Sequence, residues 1–128
     1  MKYKNDRRLL TLGELFVPGD DSLHFCKPTD VVLSDDHLYI YVADGYCNSR
    51  IVKFHANGTF IRQYQMPQGE KQLFIAHSLT LIPSLHLLCV ADRQNGRFHL
   101  IYSFSVSSSF FMSLELFVSI QMTPMKER

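Results

Sequence analysis

The chain has 128 residues, of which 46% are hydrophobic and 20% are charged, and its formal net charge at pH 7 is +1. This composition is typical of one small globular domain. Thirteen basic residues are balanced by twelve acidic ones, which excludes a nucleic-acid surface as the main function. Residues 1–16 contain no apolar run of the kind found in signal peptides, so no signal peptide is expected in this chain.

Short strand-like runs separated by turns follow one another from the N-terminus. The run Arg7–Phe16 is interpreted as the outer strand of an incomplete unit. The next unit is predicted to contain four strands, which are Thr29–Leu33, Leu38–Ala43, Arg50–His55 and Thr59–Tyr64. Asn57-Gly58 marks the hairpin between the last two strands, because this dipeptide favours the tight turns that join antiparallel strands.

The chain contains an internal repeat. When the sequence is shifted by 48 residues, the positions that coincide are Leu33, Val42, Ala43 and Asp44 with Leu81, Val90, Ala91 and Asp92. With a shift of 47 residues, Asn48 and Arg50 coincide with Asn95 and Arg97. Units of nearly fifty residues with four short antiparallel strands are typical of β-propeller blades.

The repeat therefore predicts an all-β fold, a partial β-propeller spanning residues 1–102. About two blades are expected at residues 24–70 and 71–102, and residues 8–23 are interpreted as the end of a preceding blade. Because propellers close with about four to eight blades, the chain is expected to be a fragment of such a ring.

Residues 103–128 lack the Val-Ala-Asp element and the turn glycines of the two units, and they are rich in serine and phenylalanine. They are interpreted as a divergent hydrophobic tail. The stretch Ile101–Ile120 has about the length of a membrane-spanning helix, but its serines and Glu115 disfavour that alternative. Membrane attachment is therefore not expected for this chain.

The up-and-down strand order of a blade places three side chains at one rim. If the strands of each unit are named A to D from the axis outwards, the B–C loop lies at the rim where strand A begins. Tyr46 lies in the B–C loop of the first unit and Arg93 in that of the second, while His77 lies at the start of strand A of the second unit. His77 is therefore the nearest of the three to the axis.

Each of these side chains has a functional and a structural interpretation. An imidazole at the axis suits a zinc ion, although a lone histidine is more often structural. Tyr46 is either a packing residue or a general base, the latter only where a nearby cation lowers its pKa. Arg93 can supply that cation, bind a substrate carboxylate, or form a salt bridge with Asp92 or Asp44.

The three cysteines are compatible either with one disulfide and a free thiol or with three buried thiols. Cys26 and Cys47 are predicted to lie on the same rim, just before strand A and just after strand B. A disulfide between them would anchor the loop that carries Tyr46. Asn57 begins a glycosylation sequon, Asn-Gly-Thr, and its place in the hairpin turn explains it equally well.

The chain contains four distinctive segments, which are FCKPTDVVL, VADGYCNSRIVKF, AHSLTLIP and LLCVADRQNGR. In these segments it resembles the peptidyl-α-hydroxyglycine α-amidating lyases, which form the lyase domain of peptidylglycine α-amidating monooxygenase. The resemblance extends from about Leu10 to Phe98. It implies a section of a six-bladed propeller of NHL-type repeats and the cleavage of peptidyl-α-hydroxyglycine into a peptide amide and glyoxylate, the reaction of peptide-hormone amidation.

The resemblance also implies roles for individual residues. It implies a catalytic zinc ion held by three histidines, of which His77 is one, and a structural calcium ion. Tyr46 is expected to be the base that takes the substrate hydroxyl proton, and Arg93 to orient the substrate. Cys26 and Cys47 match a disulfide of the family. The substrate is the expected partner, and the family implies the secretory pathway or the extracellular space.

Several features of the family lie outside this segment. The other two zinc histidines, the calcium ligands and a second arginine of the site belong to other blades. Since one histidine does not hold zinc tightly, this chain is expected to have the lineage of the lyase without its activity. Cys89 is expected to be free, because its family partner position is Leu100. The alternative function is a non-catalytic NHL propeller that binds a protein or peptide.

Overall fold

The computed structural model of the protein describes residues 2–4, 7–102 and 118–121. Its regular elements are β-strands and two short 3-10 turns. The strands are β1 (Lys2–Lys4), β2 (Arg7–Leu10), β3 (Asp30–Leu33), β4 (Tyr39–Asp44), β5 (Arg50–His55), β6 (Phe60–Tyr64), β7 (Ala76–Ile82), β8 (Leu87–Asp92), β9 (Arg97–Tyr102) and β10 (Val118–Gln121). The 3-10 turns are Pro83–Leu85 and Arg93–Asn95.

The strands form two four-stranded sheets and one hairpin. Strands β3 to β6 pair in chain order as an antiparallel first sheet, and β7 to β10 do so as a second sheet. Strands β1 and β2 form a separate hairpin. This confirms the predicted all-β partial propeller of two blades, in which β3 and β7 correspond to strand A. In the first sheet every predicted strand boundary lies within one residue of the observed one.

The ends of the chain differ from the prediction. Only Arg7–Leu10 of the run Arg7–Phe16 is a strand, and it pairs with β1. The second sheet takes its fourth strand, Val118–Gln121, from the predicted tail, so this unit extends beyond residue 102. Both ends of the membrane-helix alternative Ile101–Ile120 belong to strands, and its middle lies outside the described residues. Within the described ranges, no helix is long and apolar enough to cross a membrane.

The two sheets pack against each other through apolar side chains. The main core cluster contains residues of both sheets and of the segment between them, namely Tyr41, Ala43, Ile51, Tyr64, Met66, Leu73, Ala76, Leu79, Leu88, Val90 and Ile101. The Asp30 carboxylate also accepts a hydrogen bond of 2.8 Å from the Leu79 backbone N–H of the second sheet. Burial of this many apolar side chains fixes the two sheets face to face.

The opposite face of the first sheet is covered by the N-terminal segment. Ile40, Val42, Val52 and Phe54 form a second cluster there. The side chains packed on it come from the segment before β3 and are Leu10, Leu12 and Phe25. The residues interpreted as the end of a preceding blade therefore lie on the face where a preceding blade would pack.

A buried aspartate at the end of β4 joins the first sheet to the segment before it. Asp44 accepts hydrogen bonds from Asn48 Nδ2 (2.7 Å), Arg50 Nε (2.9 Å) and the Cys26 backbone N–H (2.9 Å). The Arg50 guanidinium also donates to the backbone carbonyls of Asp20, Asp21 and His24. Because Asp44 and Arg50 are almost fully buried, each charge depends on the other and on these hydrogen bonds.

The second sheet repeats this network with Asp92. Its carboxylate accepts hydrogen bonds from Asn95 Nδ2 (2.8 Å), Arg97 Nε (2.8 Å) and the Phe74 backbone N–H (2.7 Å). The B–C loop is one residue shorter here than in the first sheet, which explains why the aspartates repeat after 48 residues but the asparagines and arginines after 47. His99 is an addition without counterpart in the first sheet, and its Nε2 lies 3.1 Å from the Asp92 carboxylate.

We expect Asp44→Asn to destabilise the fold strongly, because it leaves the Arg50 guanidinium buried without its counter-charge. The free energy of unfolding should fall by about 3–5 kcal/mol, measured by urea unfolding followed by circular dichroism. The matched control is Asp35→Asn, which changes an exposed aspartate in the β3–β4 loop and should alter stability by less than about 0.5 kcal/mol. Equal effects of the two substitutions would show that the Asp44 network is not needed.

Asp92 should make stability depend on pH in the acid range. Burial raises the pKa of this carboxyl, but hydrogen bonds from Arg97, Asn95, Phe74 and His99 outweigh it, so the pKa lies below its ordinary value of 3.8. The protonated unfolded chain is then favoured in acid, and the stabilisation is present above pH 3.8 and lost as pH falls through the folded-state pKa.

The measurement is the urea midpoint of the wild type and of Asp92→Asn as the pH is lowered from neutral through 3.8. The difference between the two proteins should shrink in acid. A difference that stays constant at every pH would contradict this titration, and Asp35→Asn again serves as the control.

Candidate active site

His77 lies in a β-bulge at the beginning of β7. Ala76 pairs with Asp92 and Ser78 with Ala91, so His77 is the extra residue between two consecutive pairs. A bulge of this kind changes the direction of a side chain relative to a regular strand and is frequent beside active sites. His77 is partly exposed, and its Nδ1 lies 3.0 Å from the Ser78 hydroxyl.

The residue before this strand has an unusual backbone conformation. Ile75 has a φ of 60°, in the left-handed region that β-branched residues rarely adopt. Lys27, which occupies the equivalent position before β3, has a φ of 54°. Because both units share this feature, it belongs to the entry of strand A in each sheet and is not specific to His77.

Tyr46 reaches His77 from the B–C loop of the first sheet. The two rings are 6.3 Å apart between centroids and stand at 86° to each other, an edge-to-face arrangement that aromatic rings favour. Tyr46 is 49% exposed, so solvent and ligands can reach it. The tyrosine in this turn therefore contacts the second sheet and is not part of the core.

Gly45 allows this approach. A Cβ atom at this position would lie 2.1 Å from the Ala76 carbonyl oxygen and 2.9 Å from its carbon. The loop thus contacts the backbone of β7 one residue before His77, at a distance that only glycine permits. The sequence pattern does not predict this role of Gly45 or the bulge at His77, and the nearest signal for them is the position of Gly45 directly before Tyr46.

Arg93 lies at the same rim, at the start of the B–C turn of the second sheet. Its backbone N–H donates a hydrogen bond of 3.0 Å to the Ile75 carbonyl, and its side chain is exposed. The alternative of a salt bridge between Arg93 and Asp92 or Asp44 is wrong for the described residues. Those carboxylates are paired with Arg97 and Arg50.

A disulfide between Cys26 and Cys47 fixes the loop that carries Tyr46. The Cα atoms are 5.3 Å apart, and the Cys47 backbone N–H faces the Cys26 carbonyl at 3.4 Å. In the loop-entropy picture a bridge across 21 positions contributes about 3 kcal/mol. The disulfide ties the loop next to Tyr46 to Cys26, and the Cys26 backbone N–H also donates a hydrogen bond to Asp44 at the start of the loop. The loop is therefore attached to the segment before β3 by one covalent bond and one hydrogen bond.

Cys89 is the remaining cysteine, and it is a free thiol on β8. It lies directly opposite Leu100 of β9, the position expected for its absent partner. Burial raises the pKa of this thiol, which disfavours the reactive thiolate.

Asn57 lies in the hairpin between β5 and β6, at the rim opposite to Tyr46. Its side chain is exposed and accepts a hydrogen bond of 2.9 Å from the Thr59 N–H, and Gly58 has a φ of 96°. The turn role of this dipeptide is therefore present, and glycosylation of Asn57 stays a prediction.

The residues that the structure describes at this rim do not form a zinc or calcium site within one copy of the chain. Among the described residues, no three histidine, cysteine, aspartate or glutamate side chains gather as a metal site. The His77 ring contacts the Tyr46 ring and the Ser78 hydroxyl. What a single copy presents is a phenol, an imidazole and an exposed guanidinium at one rim, groups suited to proton transfer and to binding a carboxylate.

We expect Gly45→Ala to separate Tyr46 from His77, because the added methyl group would overlap the Ala76 backbone. The measurement is the nuclear Overhauser effect between the two rings, which should be present in the wild type and absent in the variant. Ser49→Ala, in the same loop, is the control and should leave the effect unchanged. An effect of equal strength in Gly45→Ala would contradict this role of the glycine.

Comparisons with known proteins agree with this architecture. Residues 25–54, which contain β3, β4 and most of β5, match the NHL repeat family. The chain is 47% identical over 97 residues to a probable peptidyl-alpha-hydroxyglycine alpha-amidating lyase of Caenorhabditis elegans, an alignment that covers 73% of this chain and 27% of that protein. It is 50% identical over 94 residues to peptidyl-glycine alpha-amidating monooxygenase A of Xenopus laevis, covering 70% and 10% respectively.

A third relative is peptidyl-alpha-hydroxyglycine alpha-amidating lyase 2 of Drosophila melanogaster, which is 43% identical over 98 residues. The alignment covers 75% of this chain and 24% of the relative. The chain thus spans between about a tenth and a quarter of the length of these relatives. It contains an NHL repeat and is similar to one part of the peptidyl-α-hydroxyglycine α-amidating lyases.

Proposed function

We propose that this chain contributes Tyr46, His77 and Arg93 to a site that cleaves peptidyl-α-hydroxyglycine into a peptide amide and glyoxylate. The observation that supports this most is the contact of the Tyr46 and His77 rings at the rim where Arg93 also lies. It occurs in a chain that is 43–50% identical to proteins named for this lyase or for amidating monooxygenase.

The reaction needs a base and a partner for the substrate carboxylate. In the proposal Tyr46 is the base that removes the proton of the α-hydroxyl group. The O–H electron pair forms the carbonyl of glyoxylate, the C–N bond breaks towards nitrogen, and the nitrogen takes up a proton to give the amide. Arg93 holds the carboxylate that becomes part of glyoxylate.

The cellular compartment proposed for this function is the secretory pathway or the extracellular space. The Cys26–Cys47 disulfide supports it, because such bonds persist in oxidising compartments and are rare in the cytosol. The partner proposed is a peptide ending in α-hydroxyglycine.

A single copy is proposed to be inactive. His77 is one of the histidines expected around a catalytic zinc ion, and one imidazole does not supply the three protein ligands of such a site. A single zinc ligand and an NHL repeat also fit the second candidate function, a non-catalytic propeller section that binds a peptide or protein.

The test is glyoxylate release from an α-hydroxyglycine-extended peptide by the purified chain with zinc, across a wide range of protein concentration. We expect no release from dilute single copies and measurable release from concentrated protein. Tyr46→Phe should lower that release by at least about a hundredfold, because it removes the base.

Tyr39→Phe is the matched control, since Tyr39 lies at the opposite end of β4 from the B–C loop, and its activity should equal that of the wild type. Release that persists in Tyr46→Phe would contradict the role of this tyrosine. No release at any concentration would overturn the lyase proposal and leave the binding function.

A further inference from the structure

The sequence contains one N-glycosylation sequon, Asn57-Gly58-Thr59, in which an asparagine is followed two positions later by a threonine. The other asparagines have no serine or threonine two positions later, and they are Asn5, Asn48 and Asn95. A glycan attached through an asparagine therefore has a single candidate position in this sequence. The lyase proposal makes no use of that position.

Asn57 uses its side-chain amide differently from the two asparagines of the B–C loops. Asn48 and Asn95 each donate through Nδ2 to the buried aspartate of their sheet and to a backbone carbonyl. Asn57 uses its amide oxygen instead, which accepts a hydrogen bond of 2.9 Å from the Thr59 backbone N–H. Of these three amide nitrogens, Asn57 Nδ2 is the one that the described contacts leave available for a covalent bond.

The hairpin turn holds the sequon in place through atoms other than this nitrogen. The Gly58 N–H donates a hydrogen bond of 2.9 Å to the His55 carbonyl, and the His55 N–H donates one of 2.8 Å to the Thr59 carbonyl. The turn thus uses the Asn57 amide oxygen and the backbone, whereas a glycan would use the amide nitrogen. The two roles of Asn57 are therefore compatible, because they need different atoms.

The outer residues of the sequon are accessible to a large ligand. Asn57 and Thr59 are exposed, whereas Gly58 between them faces the N-terminal segment, since a Cβ atom there would lie 2.8 Å from Leu10 Cδ1. The hairpin joins the two outer strands of the first sheet, at the rim opposite to Tyr46. A bulky glycan needs a surface position of this kind.

We infer that Asn57 is glycosylated when the chain passes through the secretory pathway. The donor is an oligosaccharide carried on a lipid pyrophosphate. Asn57 Nδ2 forms a bond to the anomeric carbon of the first sugar, and the bond from that carbon to the pyrophosphate oxygen breaks. The lipid pyrophosphate leaves with the electron pair of that bond, and Nδ2 loses a proton. The inference rests on the proposed compartment and does not depend on the lyase reaction.

The test is production of the full chain behind a cleavable secretory leader in cultured animal cells. Protein from the cells and from the medium is analysed by peptide mass spectrometry, before and after treatment with peptide-N-glycosidase, which removes the glycan and converts the modified asparagine to aspartate. We expect a glycan on the peptide that contains Asn57 and an aspartate at that position after treatment.

The Cys26–Cys47 disulfide serves as the internal control of this experiment. Its presence in a molecule shows that the molecule reached an oxidising compartment. Molecules that contain the disulfide and an unmodified Asn57 would overturn the inference, whether they come from the cells or from the medium.

Two variants of Thr59 separate the sequon from the turn. Thr59→Ala destroys the sequon but keeps the backbone N–H that donates to Asn57, so it should abolish the glycan and leave the urea midpoint of the deglycosylated protein unchanged. Thr59→Ser keeps the sequon and should keep the glycan. A glycan that persists in Thr59→Ala would contradict attachment at Asn57. The glycan is read from the peptide mass, which does not depend on the stability of the variant.

The outcomes separate this inference from the lyase proposal. Because Tyr46 lies at the other rim, the glycan should not alter glyoxylate release. A glycosylated chain that releases no glyoxylate at any concentration supports this inference and overturns the lyase proposal. Release by a secreted chain whose Asn57 is unmodified supports the lyase proposal and overturns this inference.

Discussion

Both sheets of this protein depend on a buried carboxylate at the end of their second strand. Asp44 and Asp92 are fully buried, so each needs an arginine and further donors to balance a charge that water does not reach. The same contacts fasten the segment before strand A to the B–C loop. That attachment determines where the first strand enters each sheet, and hence where Tyr46 and His77 lie.

Much of the fold follows from local sequence pattern. The strands of the first sheet were predictable because turn residues separate them and Asn57-Gly58 fixes the last hairpin. The repeat extended the prediction to β7 and β8. It did not extend to β10, because Val118–Gln121 has no recognisable counterpart in the first unit. Its pairing with β9 is a non-local contact, which no sequence period records.

The sequence predicts which rim of the sheets carries the candidate site, but it does not predict the geometry of the side chains there. Strand order alone placed Tyr46, His77 and Arg93 together, because loops of one type share an end of the sheets. The bulge at His77 and the close approach of Gly45 depend on how the second sheet meets the first. The predicted alternative of a salt bridge from Arg93 is wrong for a related reason. The carboxylates of Asp44 and Asp92 form their salt bridges with Arg50 and Arg97.

The difference of one residue between the two B–C loops has an evolutionary consequence. The aspartate at one end and the asparagine and arginine at the other hold both loops in place, and the residues between them take no part in that network. The loops therefore differ in length by one residue while the aspartate network stays the same in both sheets. Duplicated units can thus become chemically distinct, one presenting a tyrosine and the other an arginine, while their architecture stays the same.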